Sequence, residues 1–294
     1  MLRNAPLPEL TNHDIVPILE NNHFYLSRVR VNRKGPYYAL KLYKQNSHAL
    51  EAYSREKEML SKLKNKYLVK KGSDKPFQQV ITTPFLVTEF ADNKDLLELI
   101  QKVKRISEDM ARPLFKQLIK GLLYMHKEGY AHLDIKLENI FLNSKFKILI
   151  GDFDKSQSVE EPSLLGKGTS NYRAPEIIDG SITEYVQADV FSAGIVLFTL
   201  VMGRLPYSEE KENGKIMMPL YDLLQQNKEV FWEAHSKDTG VYPSKEFMAL
   251  IEGMLHRNPY KRLKMKDIKN TQWYKKNGLS SQEVSKQLSR LVSK

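Results

Sequence analysis

The sequence predicts an α+β protein whose strands come first and whose helices follow. Three observations predict it. Short runs of aromatic and branched residues, Ile18 to Val31 and Tyr37 to Tyr43, suit antiparallel strands, with Gly35-Pro36 as the turn between them. His48 to Leu63 then sets Ala52, Met59, Leu60 and Leu63 on one helical face, with Glu and Lys on the others. Beyond Ser107, long helical patterns take over the chain.

The early elements can be taken in order. Residues 1–15 carry Pro6 and Pro8 without periodicity and read as an extended lead-in. Phe85 to Ala91 is a compact apolar run of strand length that leads into a connector. Asp95, just before Leu96, is placed to cap a helix. Ser107 to Lys127 is strongly amphipathic, with Leu114, Leu118, Leu122 and Met125 in phase. Pro113 places the true start nearer Asp109, since proline is tolerated early in a helix. Later helices are expected at Val190–Met202, Lys215–Gln226, Ser244–His256 and Met265–Tyr274, with Trp232 between two of them.

Composition narrows the functional classes. The 294 residues suffice for one large domain or two lobes, and 41% hydrophobic with 28% charged residues is a globular composition. No apolar run reaches the roughly 20 residues of a membrane span, so no membrane segment is expected. The opening MLRNAPLPEL lacks the apolar core of a secretion signal. Zero cysteines exclude disulfides and thiolate metal sites, and an intracellular, cytoplasmic location is the default, with the nucleus also open. The charge of +11, from 46 Lys and Arg against 35 Asp and Glu, suits an acidic partner. No zinc-finger or RNA-binding signature accompanies it, so no specific nucleic-acid partner is indicated.

The chemistry concentrates in YAHLDIKLENIFLNSKFKILIGDFD, residues 130–154. Asp134, Lys136 and Asn139 fall within six residues, and Asp152 follows an apolar segment around Ile148–Ile150. Asp and Asn offer oxygens to hard cations, Lys offers a mobile positive charge, and an Asp can orient a hydroxyl or take its proton. Such a set suits chemistry on a polyphosphate.

HLDIKLEN resembles the catalytic loop of protein kinases, and DFD resembles their metal-binding DFG triplet. The resemblance extends over Ile15 to Tyr274. It implies a bilobal fold: a small antiparallel five-stranded N-lobe with one main helix, and a mostly helical C-lobe. ATP and Mg2+ would bind between them. It divides the chain into an N-terminal extension (1–14), a kinase domain (15–276, with lobes meeting near residue 90) and a polar tail (277–294) that is either an amphipathic helix or disordered.

The resemblance also assigns roles. In YYALKLY, Lys41 would grip the α- and β-phosphates and Ala39 would pack against adenine; in SREKEML, Glu56 would pair with Lys41. Glu51 is the rival partner. Thr88 would gate a rear pocket, the main chain of Glu89 and Ala91 would bond adenine, and Phe141 would line the nucleotide site. Asp134 and Lys136 would be catalytic, with Asn139 and Asp152 as magnesium ligands. Thr169 in GTSNYRAPEI would shape a serine/threonine site, Glu176 would pair with Arg262, and Asp189 would cap the catalytic loop. Asp95 would approach the ribose or, with Glu138, offer acidic contacts to basic residues upstream of a Ser or Thr acceptor in a protein substrate.

Three departures stand against this pattern. The glycine-rich lid is replaced by Glu20 to Ser27, with Glu20, Asn22 and Tyr25 at the glycine positions, Ser27 for the valine and Phe24 at the tip. Leu133 replaces the arginine that clamps a phosphorylated activation segment, and Leu165 occupies a usual phosphosite, so the active shape is expected to be independent of phosphorylation there. Ser163, Thr169 and Ser170 keep other phosphosites open. Asp154 replaces the glycine of DFG. The functional expectation is an ATP-dependent serine/threonine kinase, and the alternative is a pseudokinase acting as a nucleotide-binding or scaffolding module.

Overall fold

The computed structural model describes residues 14–31, 34–160, 168–180, 184–212 and 215–293. Residues 1–13 of the expected extension lie outside them, as do Ser163 and Leu165. Strands β1 (Asp14–Glu20), β2 (Phe24–Arg30), β3 (Tyr38–Tyr43) and β4 (Phe85–Glu89) form one antiparallel sheet in that order. Strand alternation divides β3 cleanly. Leu40 and Leu42 enter a small core with Val29, Phe77 and Val87, while Ala39, Lys41 and Tyr43 take the opposite face. Helix α1 (Ser47–Lys62), capped by the Asn46 side chain, buries Ala52, Glu56, Met59 and Leu60.

The sheet departs from expectation in two places. Among the described residues it has four strands rather than five. The fifth place is filled by a single bridge, Lys71 to Thr88, supported by Glu89 N donating to the Lys70 carbonyl (2.9 Å) and Gly72 N to that of Val87 (2.8 Å). Just beyond, the Asp74 carbonyl accepts from Phe77 N and Gln78 N, and this turn carries Phe77 and Ile81 into the core. A strand cannot continue through it.

The lid tip also differs from expectation. Leu26 lies directly opposite Lys41, and Ser27 faces Leu40 and is buried. The tip is Asn21 to His23, where the Asn21 Oδ1 accepts from His23 N (2.8 Å) and Phe24 N (2.9 Å). An asparagine turn replaces the glycines. Phe24 is thus not at the tip but buried in β2, against Tyr43.

The larger lobe is helical. Asp95 caps α2 (Leu96–Val103), its Oδ1 accepting from Glu98 N at 2.9 Å. Ser107 caps α3 (Glu108–Lys127), so the helix starts close to Asp109 as Pro113 suggested. Pro113 has no N–H for the Asp109 carbonyl one turn back. That carbonyl accepts instead from Leu279 N at 3.2 Å. The tail then forms the helix Ser281–Val292, begun by a capping box of Ser280 and Glu283, with Val284 and Leu288 buried. The amphipathic alternative for the tail is the one that forms.

The lobe is built around the helix Tyr185–Met202, which is long and apolar enough to cross a membrane by composition but is 94% buried inside the fold. Two expected helices are redrawn and one is added. The first begins at Pro219, because Lys215–Met217 pairs with Glu210–Glu212 as a hairpin. Trp232 lies within a further helix, Lys228–Thr239. Met265–Tyr274 divides into Met265–Ile268 and Gln272–Lys275, the second capped by Thr271.

Candidate active site

Each lobe brings one set of polar groups to the cleft. From the small lobe, Lys41 reaches both oxygens of Glu56, at 3.0 and 2.9 Å, and Asp152 at 2.6 Å. Glu56 is 3% exposed, whereas Glu51 is exposed on the outer face and pairs with Arg55. The rival partner is thereby set aside. Burial works against a charged Lys41, but Asp152 and Glu56 outweigh it and raise its pKa. Asp152 shifts the other way: burial opposes ionisation and Lys41 overcomes it.

From the large lobe, the Asp134 carboxylate collects four partners. Thr169 Oγ1 donates to Oδ1 (2.7 Å); Asn139 Nδ2, Lys136 Nζ and Lys155 Nζ each lie 3.1 Å from Oδ2. Burial would raise its pKa, yet Lys155 and Lys136 pull it down to about 2. Lys136 also donates to Thr169 Oγ1 at 2.8 Å, closing a triangle of Asp134, Lys136 and Thr169.

Backbone geometry is set from behind. Leu133 and Asp152 both adopt positive φ (63° and 61°), which is uncommon for residues other than glycine. Asp189, fully buried, receives His126 Nε2, His132 N and Leu133 N, each at 2.8 Å. The expected cap of the catalytic loop is present, and it holds Leu133 in its strained conformation. Behind the activation segment, Arg262 grips Glu176 with two bonds of 2.6 and 2.9 Å, both side chains buried.

The remaining expected residues fall on and after the small-lobe sheet and in the large lobe. Ala39, half-buried, pairs with Arg28 and Thr88 in the sheet. Glu89 and Ala91 lie where β4 leaves for the large lobe; the Ala91 carbonyl accepts from Lys94 N. Phe141 is half-buried and bridges to Asp95. Asp95 caps α2, and burial raises its pKa, with Glu98 and Glu138 adding to the effect.

Two departures take physical form. Glu20 pairs with Lys44 (2.9 Å) at the surface, where its charge is countered. Asp154 is not among the described residues with positive φ, so its backbone does not require glycine. Its Oδ1 is buried without a hydrogen-bond partner, and burial, then Asp152, pushes its carboxyl up to about 7.

Several participants were missed in the sequence. Tyr43 donates to Glu56 Oε2 at 2.5 Å, and Arg55 Nε donates to the Asp154 carbonyl at 2.7 Å. Strand alternation from Lys41 could have found Tyr43, two residues on and therefore on the same face. Lys155 and the lock of Glu209 on Arg173, Asn171 N and Ser170 join distant segments and leave no local signal.

Known proteins resemble this chain in sequence. A family model described as the protein kinase domain matches residues 26–274. The chain belongs to that family. Among similar proteins, the carbon catabolite-derepressing protein kinase of Secale cereale is 30% identical over 211 residues, 67% of this chain and 38% of that protein. The serine/threonine protein kinase OSK3 of Oryza sativa subsp. indica is 32% identical over 204 residues, 67% of this chain and 37% of its own length. OSK4 of the same subspecies has the same identity and coverage. Each match covers less than two fifths of the relative. Within this kinase domain, the bilobal fold and the two polar sets are the parts on which function can be argued.

Proposed function

We propose that the domain is a serine/threonine protein kinase that transfers the γ-phosphate of ATP to a protein hydroxyl. The contact of Lys41 with both Glu56 and Asp152 carries this reading, because it joins the two lobes across one cleft. Lys41 would bind the α- and β-phosphates, with Ala39, Phe141 and the main chain of Glu89 and Ala91 around the adenine. Asp134 would align the acceptor hydroxyl and take its proton, and Lys136 would offset charge developing on the transferred group. The triangle with Thr169 supports serine/threonine acceptors, since it holds both catalytic side chains at one place.

Mg2+ would be held by Asp152 and Asn139. Asn139 uses its Nδ2 on Asp134, which leaves its amide oxygen for a cation. Such a pair suits a metal that relies on one or two protein ligands together with substrate phosphates. When bound, it would neutralise and orient those phosphates.

A second reading, a nucleotide-binding scaffold, draws on the lack of glycine in the lid and on Asp154, whose carboxyl is pushed up to about 7. Basic residues upstream of the acceptor are proposed to meet Asp95 and Glu138. Magnesium-dependent transfer to Ser/Thr peptides, measured beside Asp134→Asn, tests these readings. Loss of a general base lowers turnover by about 10²–10⁴-fold. Nucleotide binding without turnover in either protein establishes the scaffold instead. Equal turnover of peptides with and without upstream Arg removes the basic preference.

A further inference from the structure

The turn that carries Thr169 is held from outside by one acidic side chain. Glu209 lies in the loop after the Tyr185–Met202 helix, and its side chain is only 5% exposed. Its carboxylate gathers four donors. Oε1 accepts from Asn171 N (2.9 Å) and Arg173 Nε (3.3 Å), and Oε2 accepts from Ser170 Oγ (3.1 Å) and Arg173 Nη2. Its own N–H donates to Asn171 Oδ1 at 2.6 Å, so Asn171 is gripped twice in its positive-φ conformation (67°).

A buried carboxylate with these partners is a fixed anion, comparable to a phosphate that orders a segment through arginine. Leu133 cannot clamp a phosphate, whereas Glu209 brings negative charge from within the fold. We infer that Glu209 is a positioning residue: it fixes the turn at 168–173, and with it Thr169, in the working arrangement without a phosphate on the activation segment. The path to the acceptor side is short. The Arg173 stem packs on Gly168, where a Cβ would come within 3.0 Å of Arg173 Cγ and 3.3 Å of the Leu133 carbonyl oxygen. Tyr172 N closes the turn on the Thr169 carbonyl at 3.1 Å. Thr169 then bonds Asp134 (2.7 Å) and accepts from Lys136 (2.8 Å), so a turn freed from Glu209 loosens both contacts. The inference rests on the phosphate transfer proposed above.

The test compares the full chain, before and after phosphatase treatment that mass spectrometry shows to be complete, with Glu209→Gln and with Arg173→Met/Glu209→Met. Glutamine keeps the size and one acceptor oxygen; the double variant removes both charges, so neither is left buried alone. Hydrogen exchange of the amides at 168–173, the urea midpoint, ATP affinity and turnover of Ser/Thr peptides are measured for each. Treated and untreated wild type are expected to be equally active. Glu209→Gln should speed exchange at 168–173 and lower kcat/KM for peptide about tenfold, as for loss of one hydrogen bond to a charged group, while ATP affinity changes less than twofold. In the double variant the midpoint should recover and kcat/KM for peptide should stay low. Wild type that loses turnover with its phosphate, a silent Glu209→Gln, or peptide turnover that follows the urea midpoint across the proteins overturns the inference. Absence of turnover in treated and untreated wild type alike defeats the proposed activity, and exchange at 168–173 still decides whether Glu209 holds the turn.

Discussion

Asp189→Asn tests how the catalytic loop is held. Three donors converge on Asp189: Oδ2 takes His126 Nε2 and His132 N, and Oδ1 takes Leu133 N. Asparagine offers one oxygen. Placed at the Oδ2 position it keeps two donors, but its own amide NH2 then confronts the Leu133 N–H. A buried donor left without a partner costs about 1–3 kcal/mol, and the two retained bonds lose their charge assistance. The expected destabilisation is about 2–4 kcal/mol, read as a shift in the urea midpoint. Activity should suffer further, because positive φ at a residue like Leu133 stores about 1–3 kcal/mol that only fixed neighbours maintain. Once Leu133 N is released, the loop can relax and carry Asp134 away from Thr169. Stability and phosphate transfer are measured on the same preparation. An unchanged midpoint with full activity would refute the view that Asp189 sets the loop.

Two further outcomes follow from buried charge. Arg262→Met should destabilise the fold by about 3–5 kcal/mol by leaving Glu176 buried without its partner, and adding Glu176→Leu should recover most of it in urea denaturation. His235 is held neutral: burial, then Arg204, lowers its pKa to about 4. Below pH 6.5 the unfolded chain therefore binds a proton that the folded chain does not. Stability should fall as pH drops from about 6.5 towards 4, by up to about 3 kcal/mol from this group. His235→Phe should lose correspondingly less between pH 7 and 4.5 than the wild type.

Much of the cleft was legible because its residues sit in short, ordered motifs. Asp134, Asn139 and Asp152 stand close together in one short stretch, Lys41 and Glu56 were placed by the family resemblance, and α1 and α3 by an apolar face repeating every turn. The fifth strand failed because nothing in Val69–Gly72 announces that Asp74 will start a turn. Phe24 was misplaced at the lid tip because no glycine marks the turn; the Asn21 side chain sets it, and Phe24 begins β2. Tyr43 was legible in principle from strand alternation. Lys155 was not, since its partner lies in another segment and only the folded chain brings them to 3.1 Å.

The bond from Leu279 to the Asp109 carbonyl gives the C-terminal helix a structural duty. Proline within α3 opens a gap in the helix's own ladder, and the end of the chain closes it. Gly278 makes this possible, because a Cβ there would come within 3.0 Å of the Asp109 oxygen and 3.2 Å of the Pro113 ring. Trimming the protein to the family-matched span would leave that oxygen unbonded and uncover the seat of Val284 and Leu288, so the last residues act as a keystone for the helix that leads to the catalytic loop.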